Sequence, residues 1–342
     1  MKNVKRILTI DGGGIKGVIP AAFLATVEET TGKRIIDYFD LIAGTSTGGI
    51  IALGLGLGLS ASEILSFYEV EGPRIFDQEP GNDGSKWKKA KGLLRRKVRD
   101  ARQFFLPKYN AGALKAALEK VFGDRVLGES RTRLVIPAFD RQRREIHVFK
   151  TAHHPRFGID WKERMVDVAL ATAAAPTYLP GHQLENGVSL LDGGIWANNP
   201  AGLAVVEAIG TLGWPRDELK VLSIGCSEEP IPIPENAGFL GLAMKMADLF
   251  MVGQSRGSNG TAKLLLGHTD SDPKLFRYQP IVAKGDFCLD GVSKIRDLKG
   301  VGANLAREAM PQIQEFFLTA PREEFMPCFP QTVSDQSEVV HD

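Results

Sequence analysis

The stretch Gly44-Thr45-Ser46-Thr47-Gly48 decides the fold, because it joins an apolar segment typical of a strand to one typical of a helix. Residues 38–43 lead into it and residues 50–53 lead out of it. A G-x-S-x-G sequence in this context predicts a sharp strand-to-helix turn that projects the serine hydroxyl outward as a nucleophile. A helix beginning at Ser46 would also bring its positive dipole end close to a developing anion. Taken alone, the pattern fits a plain turn as well.

A second glycine-rich turn, Asp11-Gly12-Gly13-Gly14-Ile15-Lys16-Gly17, follows the apolar segment 6–10 and precedes an apolar helix pattern. Such a turn exposes several backbone N–H groups, which suit a phosphate or an oxyanion. Its glycines also satisfy G-x-G-x-x-G, a dinucleotide-binding pattern that requires an acidic residue about 20 residues further on. Glu28 and Glu29 come too early and fall inside the predicted helix, so dinucleotide binding is the weaker interpretation.

A third motif, Asp192-Gly193-Gly194, follows the apolar residues 188–191. An aspartate at the carboxyl end of a strand lies where open α/β sheets place their functional groups. An aspartate that merely caps a turn before glycine would give the same sequence, so both interpretations stay open at this point.

Strand-like and helix-like segments alternate along the chain, which is typical of a mainly parallel sheet with helices on both faces. Strands are predicted at 6–10, 38–43, 133–138, 145–150, 188–191 and 219–224. Helices are predicted near 17–30, 47–57, 60–71, 111–122, 165–175 and 200–210.

The three motifs, in this order, resemble the patatin-like phospholipase family. Residues 173–180 and Asn198-Asn199-Pro200 are similar to that family as well, and the resemblance spans residues 4–225. It implies an α/β fold of three layers, α/β/α, with a mainly parallel central sheet. It also implies hydrolysis of the acyl esters of membrane phospholipids through an acyl-enzyme.

The resemblance assigns Ser46 as the nucleophile and Asp192 as the general base of a dyad without histidine. It assigns the oxyanion hole to backbone N–H groups around Gly12, Gly13 and Gly14. The supporting positions of the motifs are Lys16, Gly17, Gly44, Gly48, Gly193 and Gly194. A dry pocket would raise the pKa of the aspartate and make it a stronger base. No cofactor or metal is expected.

Two other functions remain open. An α/β-hydrolase triad would use the chain order serine, aspartate, histidine, which Ser46, Asp192 and His268 satisfy. The other is a non-catalytic binding module on the same fold. The presence of all three motifs argues against it, because a non-catalytic protein need not keep them. Some bacterial patatin-like proteins resemble antiphage effectors that a cyclic dinucleotide switches on. A cyclic dinucleotide is therefore a candidate activator and a homo-oligomer a candidate assembly, with residues 254–261 as one place for the ligand.

Residues 72–110 interrupt the pattern, beginning with a loop-like stretch that runs to residue 85. Residues 86–102 then contain nine lysines and arginines against one acid, with apolar residues at helical spacing. The segment predicts a basic amphipathic helix that contacts an anionic membrane or ligand through Lys88, Lys89, Arg95 and Arg96. A helix that packs on the core and leaves its charges in solvent is the alternative.

The bulk properties are those of an ordinary globular protein, with 43% hydrophobic and 24% charged residues. The net charge of +1 argues against a nucleic-acid partner. Three separated cysteines and the lack of an apolar leader predict a cytoplasmic protein, peripheral to the inner face of the membrane when active. We expect a catalytic core at 4–225, a helical extension of the same domain at 226–326 and a mobile tail at 327–342.

Overall fold

An eight-stranded sheet forms the centre of the computed structural model, which describes residues 4–76, 108–230, 246–283, 285 and 287–329. The strands are β1 (Lys5–Ile10), β2 (Leu41–Gly44), β3 (Arg133–Asp140), β4 (Glu145–Lys150), β5 (His182–Gln183), β6 (Ser189–Asp192), β7 (Leu219–Ile224) and β8 (Leu275–Tyr278). Their order is β5-β6-β3-β2-β1-β7-β8, and β4 pairs with β3. The five neighbours β3, β2, β1, β7 and β8 run parallel, which confirms the predicted sheet.

Helices cover both faces of this sheet. They are α1 (Val18–Thr31), α2 (Thr47–Gly56), α3 (Ala61–Phe76), α4 (Ala111–Phe122), α5 (Met165–Thr172), α6 (Gly194–Ala197), α7 (Ala201–Val206), α8 (Met246–Leu266) and α9 (Ile295–Phe316). Because side chains alternate across a strand, Leu8 and Ile10 join a core with α1 to α5 and α9, whereas Ile7 joins a second core with α7 and α8. The two cores confirm the predicted three-layer arrangement.

Several element boundaries differ from the predictions. The strand predicted from residue 38 begins only at Leu41, because residues 35–37 form a 3-10 helix that ends at Tyr38 with helical backbone angles. Residues 72–76, predicted as a loop, continue α3, because Gly72 packs closely against Ile15.

The prediction of one helix over residues 200–210 was also wrong in detail. It is α-helical only to Val206 and changes to a π-helix over Glu207–Thr211. The change occurs where the buried carboxylate of Glu207 bonds Lys150 at 2.5 Å and His153 at 3.1 Å.

The C-terminal third supplies structure that no motif indicated. Strand β8 extends the sheet, and α9 packs along α1, where Gly302 lies against the carbonyl of Ile19. Residues 254–261, which the sequence suggested as a ligand-binding stretch, form the interior of α8. In the part of the chain that the structure describes, no helix has both the length and the apolar character needed to cross a bilayer.

Candidate active site

Ser46 occupies the sharp turn between β2 and α2, as its sequence predicts. Its backbone has φ 55° and ψ −122°, a conformation that costs a residue other than glycine about 1–3 kcal/mol. The flanking glycines make the turn possible. A Cβ at position 44 would lie 2.1 Å from the carbonyl oxygen of Gly48, and one at position 48 would lie 2.3 Å from that of Ile10.

A buried threonine holds this strained turn in place. The N–H of Ser46 donates to Thr172 Oγ1 at 3.0 Å, and the Thr172 hydroxyl donates to the carbonyl of Pro137 at 2.6 Å. The neighbouring Thr45 donates its hydroxyl to the carbonyl of Ala197 at 2.6 Å. Sequence reasoning missed Thr172, whose only signal was a hydroxyl at the end of a mostly apolar helix.

Asp192 ends β6 and lies against the serine. Its carboxylate accepts the N–H of Gly194 at 2.6 Å, and the Ser46 side chain lies close enough to act on its pKa. Ser46 is 9% exposed and Asp192 is 5% exposed. Burial raises the pKa of Asp192 to about 6, while the bonds from Gly194 and Ser46 act in the opposite direction. The carboxylate is therefore a stronger base than an exposed aspartate and still ionised near neutral pH.

The glycine-rich loop after β1 lies beside this pair. A Cβ on Gly12 would lie 3.1 Å from the Cβ of Ser46 and 2.4 Å from Asn198 Oδ1, so the glycine lets the loop pass close to the serine. The N–H of Gly12 donates to the carbonyl of Asn198 at 3.0 Å. Within the described residues, the N–H groups of Gly13 and Gly14 have no acceptor. Two amides of the loop are therefore without a partner among the described residues, and Gly12 brings the loop close to Ser46.

The remaining motif glycines allow the three motifs to meet. A Cβ on Gly17 would lie 2.1 Å from Thr47 Oγ1, and one on Gly193 would lie 2.3 Å from the carbonyl oxygen of Pro137. Lys16 lies in the short 3-10 helix Gly14–Gly17 that connects the loop to α1.

Helix α8 braces the turn that follows the aspartate motif. Gln254 accepts the N–H of Asn198 at 3.0 Å and donates to the carbonyl of Gly194 at 2.8 Å. Asn199 donates its side-chain amide to Asn259 at 3.0 Å. The polar residues of this stretch thus support the site from the side instead of forming a separate ligand loop.

His268 lies away from the serine. It comes just before β8, where its Nδ1 accepts the N–H groups of Lys274 and Leu275. Since β8 is parallel to β2, this is the amino-terminal edge of the sheet, whereas Ser46 follows the carboxyl end of β2. The structure therefore contradicts a triad completed by His268.

Lys88, Lys89, Arg95 and Arg96 lie outside the described residues, as do residues 330–342. The contact with a membrane or an anion stays a prediction from the sequence.

The family profile described as "Patatin-like phospholipase" matches residues 8–205, more than half of the chain. A cGAMP-activated phospholipase from Vibrio cholerae is 33% identical over 261 residues, which cover 71% of this chain and 71% of that protein. The chain belongs to the patatin-like phospholipase family. The resemblance drawn from the three motifs is thereby confirmed.

Two other relatives match over a smaller share of their length. A cGAMP-activated phospholipase from Pseudomonas aeruginosa is 36% identical over 222 residues, covering 64% of this chain and 61% of that protein. Patatin-like protein 2 from Arabidopsis thaliana is 38% identical over 229 residues, covering 60% of this chain and 53% of that protein. The chain therefore spans less than two thirds of these two relatives.

Proposed function

We propose that this protein hydrolyses acyl esters of membrane phospholipids through a Ser46–Asp192 dyad. The observation that carries the proposal is the side chain of Ser46, on its strained turn, beside the buried Asp192 carboxylate, whose pKa is raised to about 6. A nucleophile in contact with a base of suitable pKa is the arrangement that covalent acyl transfer requires. Membership of the family supports the same reaction.

In the first half of the proposed reaction, Ser46 Oγ attacks the ester carbonyl carbon while its proton passes to Asp192. The carbonyl oxygen becomes an oxyanion, and we propose that the N–H groups of Gly13 and Gly14, which have no acceptor among the described residues, bind it. Collapse of the tetrahedral intermediate breaks the ester bond. The lysolipid alcohol leaves with the proton from Asp192, and the acyl group stays on Ser46.

The second half repeats this chemistry with water. Asp192 removes a proton from a water molecule, whose oxygen attacks the acyl-enzyme. The fatty acid leaves, and Ser46 recovers its proton from Asp192. The apolar environment that raises the pKa of Asp192 keeps it basic in both halves.

We further propose that the enzyme is activated by a cyclic dinucleotide. Relatives from Vibrio cholerae and Pseudomonas aeruginosa are named as cGAMP-activated phospholipases. The low exposure of Ser46 and Asp192 supports this proposal, because a phospholipid needs access to both. Activation would widen the approach to the dyad, and homo-oligomers are one way in which a ligand produces such a change.

The test is fatty-acid release from mixed phospholipid vesicles, measured with and without a panel of cyclic dinucleotides. We expect release by the wild type to increase with one ligand and to disappear in Ser46→Ala and Asp192→Asn. Release that persists in Ser46→Ala would refute the dyad. Wild-type release that is equal with and without every ligand would refute the activation while leaving the hydrolase proposal intact. Release that stops in excess chelator would contradict the expected independence from metal ions.

A further inference from the structure

The carboxylate immediately before the glycine loop is held by a cation from the far end of the chain. Arg277 Nη1 donates to Asp11 Oδ1 at 2.8 Å, and Nη2 donates to Asp11 Oδ2 at 2.5 Å. Both side chains are largely buried. A bidentate guanidinium–carboxylate pair stabilises the two side chains and also fixes their relative orientation, because two parallel hydrogen bonds allow little rotation.

The sheet aligns the partners of this pair. Thr9, Ser223 and Arg277 are neighbours across the parallel strands β1, β7 and β8. Because side chains alternate along a strand, Asp11 lies on the same face as Thr9, within reach of the guanidinium. Arg277 Nη1 also donates to Ser223 Oγ at 2.9 Å. A Cβ on Gly225 would lie 2.8 Å from Nη2, so a glycine there leaves room for the guanidinium.

The backbone of Asp11 is also fixed at the point where the loop begins. Its N–H donates to the carbonyl of Ile224 at 3.0 Å, and its carbonyl accepts the Cys226 thiol at 3.4 Å. The next residue is Gly12, which touches Ser46. A run of three glycines has no side chain with which to hold its own conformation. The direction of the loop therefore depends on the residue that precedes it and on the backbone bond from Gly12 to Asn198.

We propose that Arg277 is a positioning residue which, through Asp11, aims the N–H groups of Gly13 and Gly14 at the reacting carbonyl oxygen. This inference rests on the proposed function, since it assumes that these two amides bind the oxyanion. Arg277 lies outside the stretch that matches the family profile, residues 8–205. The C-terminal third would thus complete the oxyanion site.

The chain offers a matched control in a second buried ion pair. Lys150 Nζ lies 2.5 Å from the Glu207 carboxylate, and both side chains are largely buried. Lys150 ends β4 on the far side of β3 from β2, and the side-chain bonds of this pair lead to His153 and not to the glycine loop. Loss of the lysine or the arginine removes the cation from a buried carboxylate, which destabilises the fold, although Glu207 keeps its bond to His153. Only loss of the Arg277–Asp11 pair should disturb the glycine loop.

The experiment compares Arg277→Met, Arg277→Lys, Ser223→Ala and Lys150→Met with the wild type on a short-chain monomeric ester. Thermal unfolding of each variant shows that it is folded. The expected result for Arg277→Met is a fall in kcat of roughly 10²–10³-fold with little change in KM, the size of the loss when one oxyanion donor is removed. Arg277→Lys should recover part of this loss, and Lys150→Met should keep wild-type kcat despite a lower melting temperature.

Two inhibitors separate a positioning role from general damage. A trifluoromethyl ketone, which forms a hemiketal oxyanion with Ser46, should lose affinity in proportion to kcat/KM. A non-hydrolysable ether analogue, which forms no oxyanion, should bind the variants as it binds the wild type. Equal loss of affinity for both compounds would overturn the inference. So would wild-type kcat in folded Arg277→Met and Arg277→Lys.

If both arginine variants fail to fold, Ser223→Ala tests the positioning role of Arg277, because this change removes only one hydrogen bond to the guanidinium. A several-fold fall in kcat and in ketone affinity is expected, and no change in either would overturn the inference. Ser46→Ala in the same assay tests the proposed function separately. Activity in Ser46→Ala would refute the dyad, whereas an inactive Ser46→Ala beside fully active arginine variants would refute only the role of Arg277.

Discussion

Replacing Asp192 by asparagine should stabilise the protein at neutral pH while it abolishes catalysis. The carboxylate is almost fully buried, and burial raises its pKa from 3.8 to about 6. The folded state therefore binds the proton more tightly than the unfolded state does. Under proton linkage, a carboxyl of this kind contributes stability that is fully present below its unfolded pKa and is lost as the pH rises through its folded pKa.

The magnitude follows from the size of the shift. The pKa in the unfolded chain is about 3.9, and each unit of difference corresponds to about 1.4 kcal/mol. A shift of about two units then removes about 3 kcal/mol from the free energy of unfolding between about pH 4 and pH 6. Asparagine keeps an oxygen for the N–H of Gly194 and carries no charge. The Asp192→Asn variant should therefore keep the unfolding free energy that the wild type loses between about pH 4 and pH 6.

The assay is urea unfolding of wild type and Asp192→Asn, followed by tryptophan fluorescence at about pH 4 and about pH 8. The variant should be more stable at the higher pH and equal to the wild type at the lower pH. Asp140→Asn serves as a control of opposite sign, because backbone hydrogen bonds from Arg143 and Gln142 lower the pKa of Asp140. An equal difference at both pH values, or a less stable Asp192→Asn at about pH 8, would refute the reasoning.

Three further predictions concern the same site. The value of kcat/KM on an uncharged ester should rise with pH, with an apparent pKa of about 6, because Asp192 must be ionised to accept the proton. A pH-stat profile that is flat down to about pH 5 would contradict this expectation. Thr172→Val leaves the buried N–H of Ser46 without an acceptor, so it should lower the free energy of unfolding by about 1–3 kcal/mol and also slow turnover. Thr132→Val, which loses a buried hydroxyl bond to the carbonyl of Phe39, should show a similar loss of stability with full activity. His268→Ala should keep wild-type kcat, since His268 lies at the opposite edge of the sheet, and a large loss of kcat in a folded variant would count against the dyad.

The turn around Ser46 was predictable because its requirements are local. Positions 44 and 48 admit only glycine, since a Cβ at either would lie within 2.3 Å of a backbone oxygen. Gly12 is also closely packed, since a Cβ there would lie 2.4 Å from the side-chain oxygen of Asn198. Steric exclusion of this kind leaves glycines at fixed spacing, and the alternation of apolar segments between them indicated the parallel sheet.

The sequence did not indicate which amides of the glycine loop are free. Gly12, Gly13 and Gly14 look alike in sequence, but the carbonyl of Asn198 already accepts the N–H of Gly12. A hydrogen bond between residues so distant along the chain leaves no signature in either segment. The assignment of donors in the loop therefore required the packed structure.

By itself, the sequence determined the three motifs, their order and the layered α/β fold, because each follows from backbone sterics or from periodicity within a short window. The tertiary structure alone decided that His268 lies at the wrong edge, that Thr172 holds the serine turn and that Arg277 binds Asp11 across 266 residues. These outcomes depend on strand order and register. Long-range pairing sets both, and no single segment of the chain encodes them.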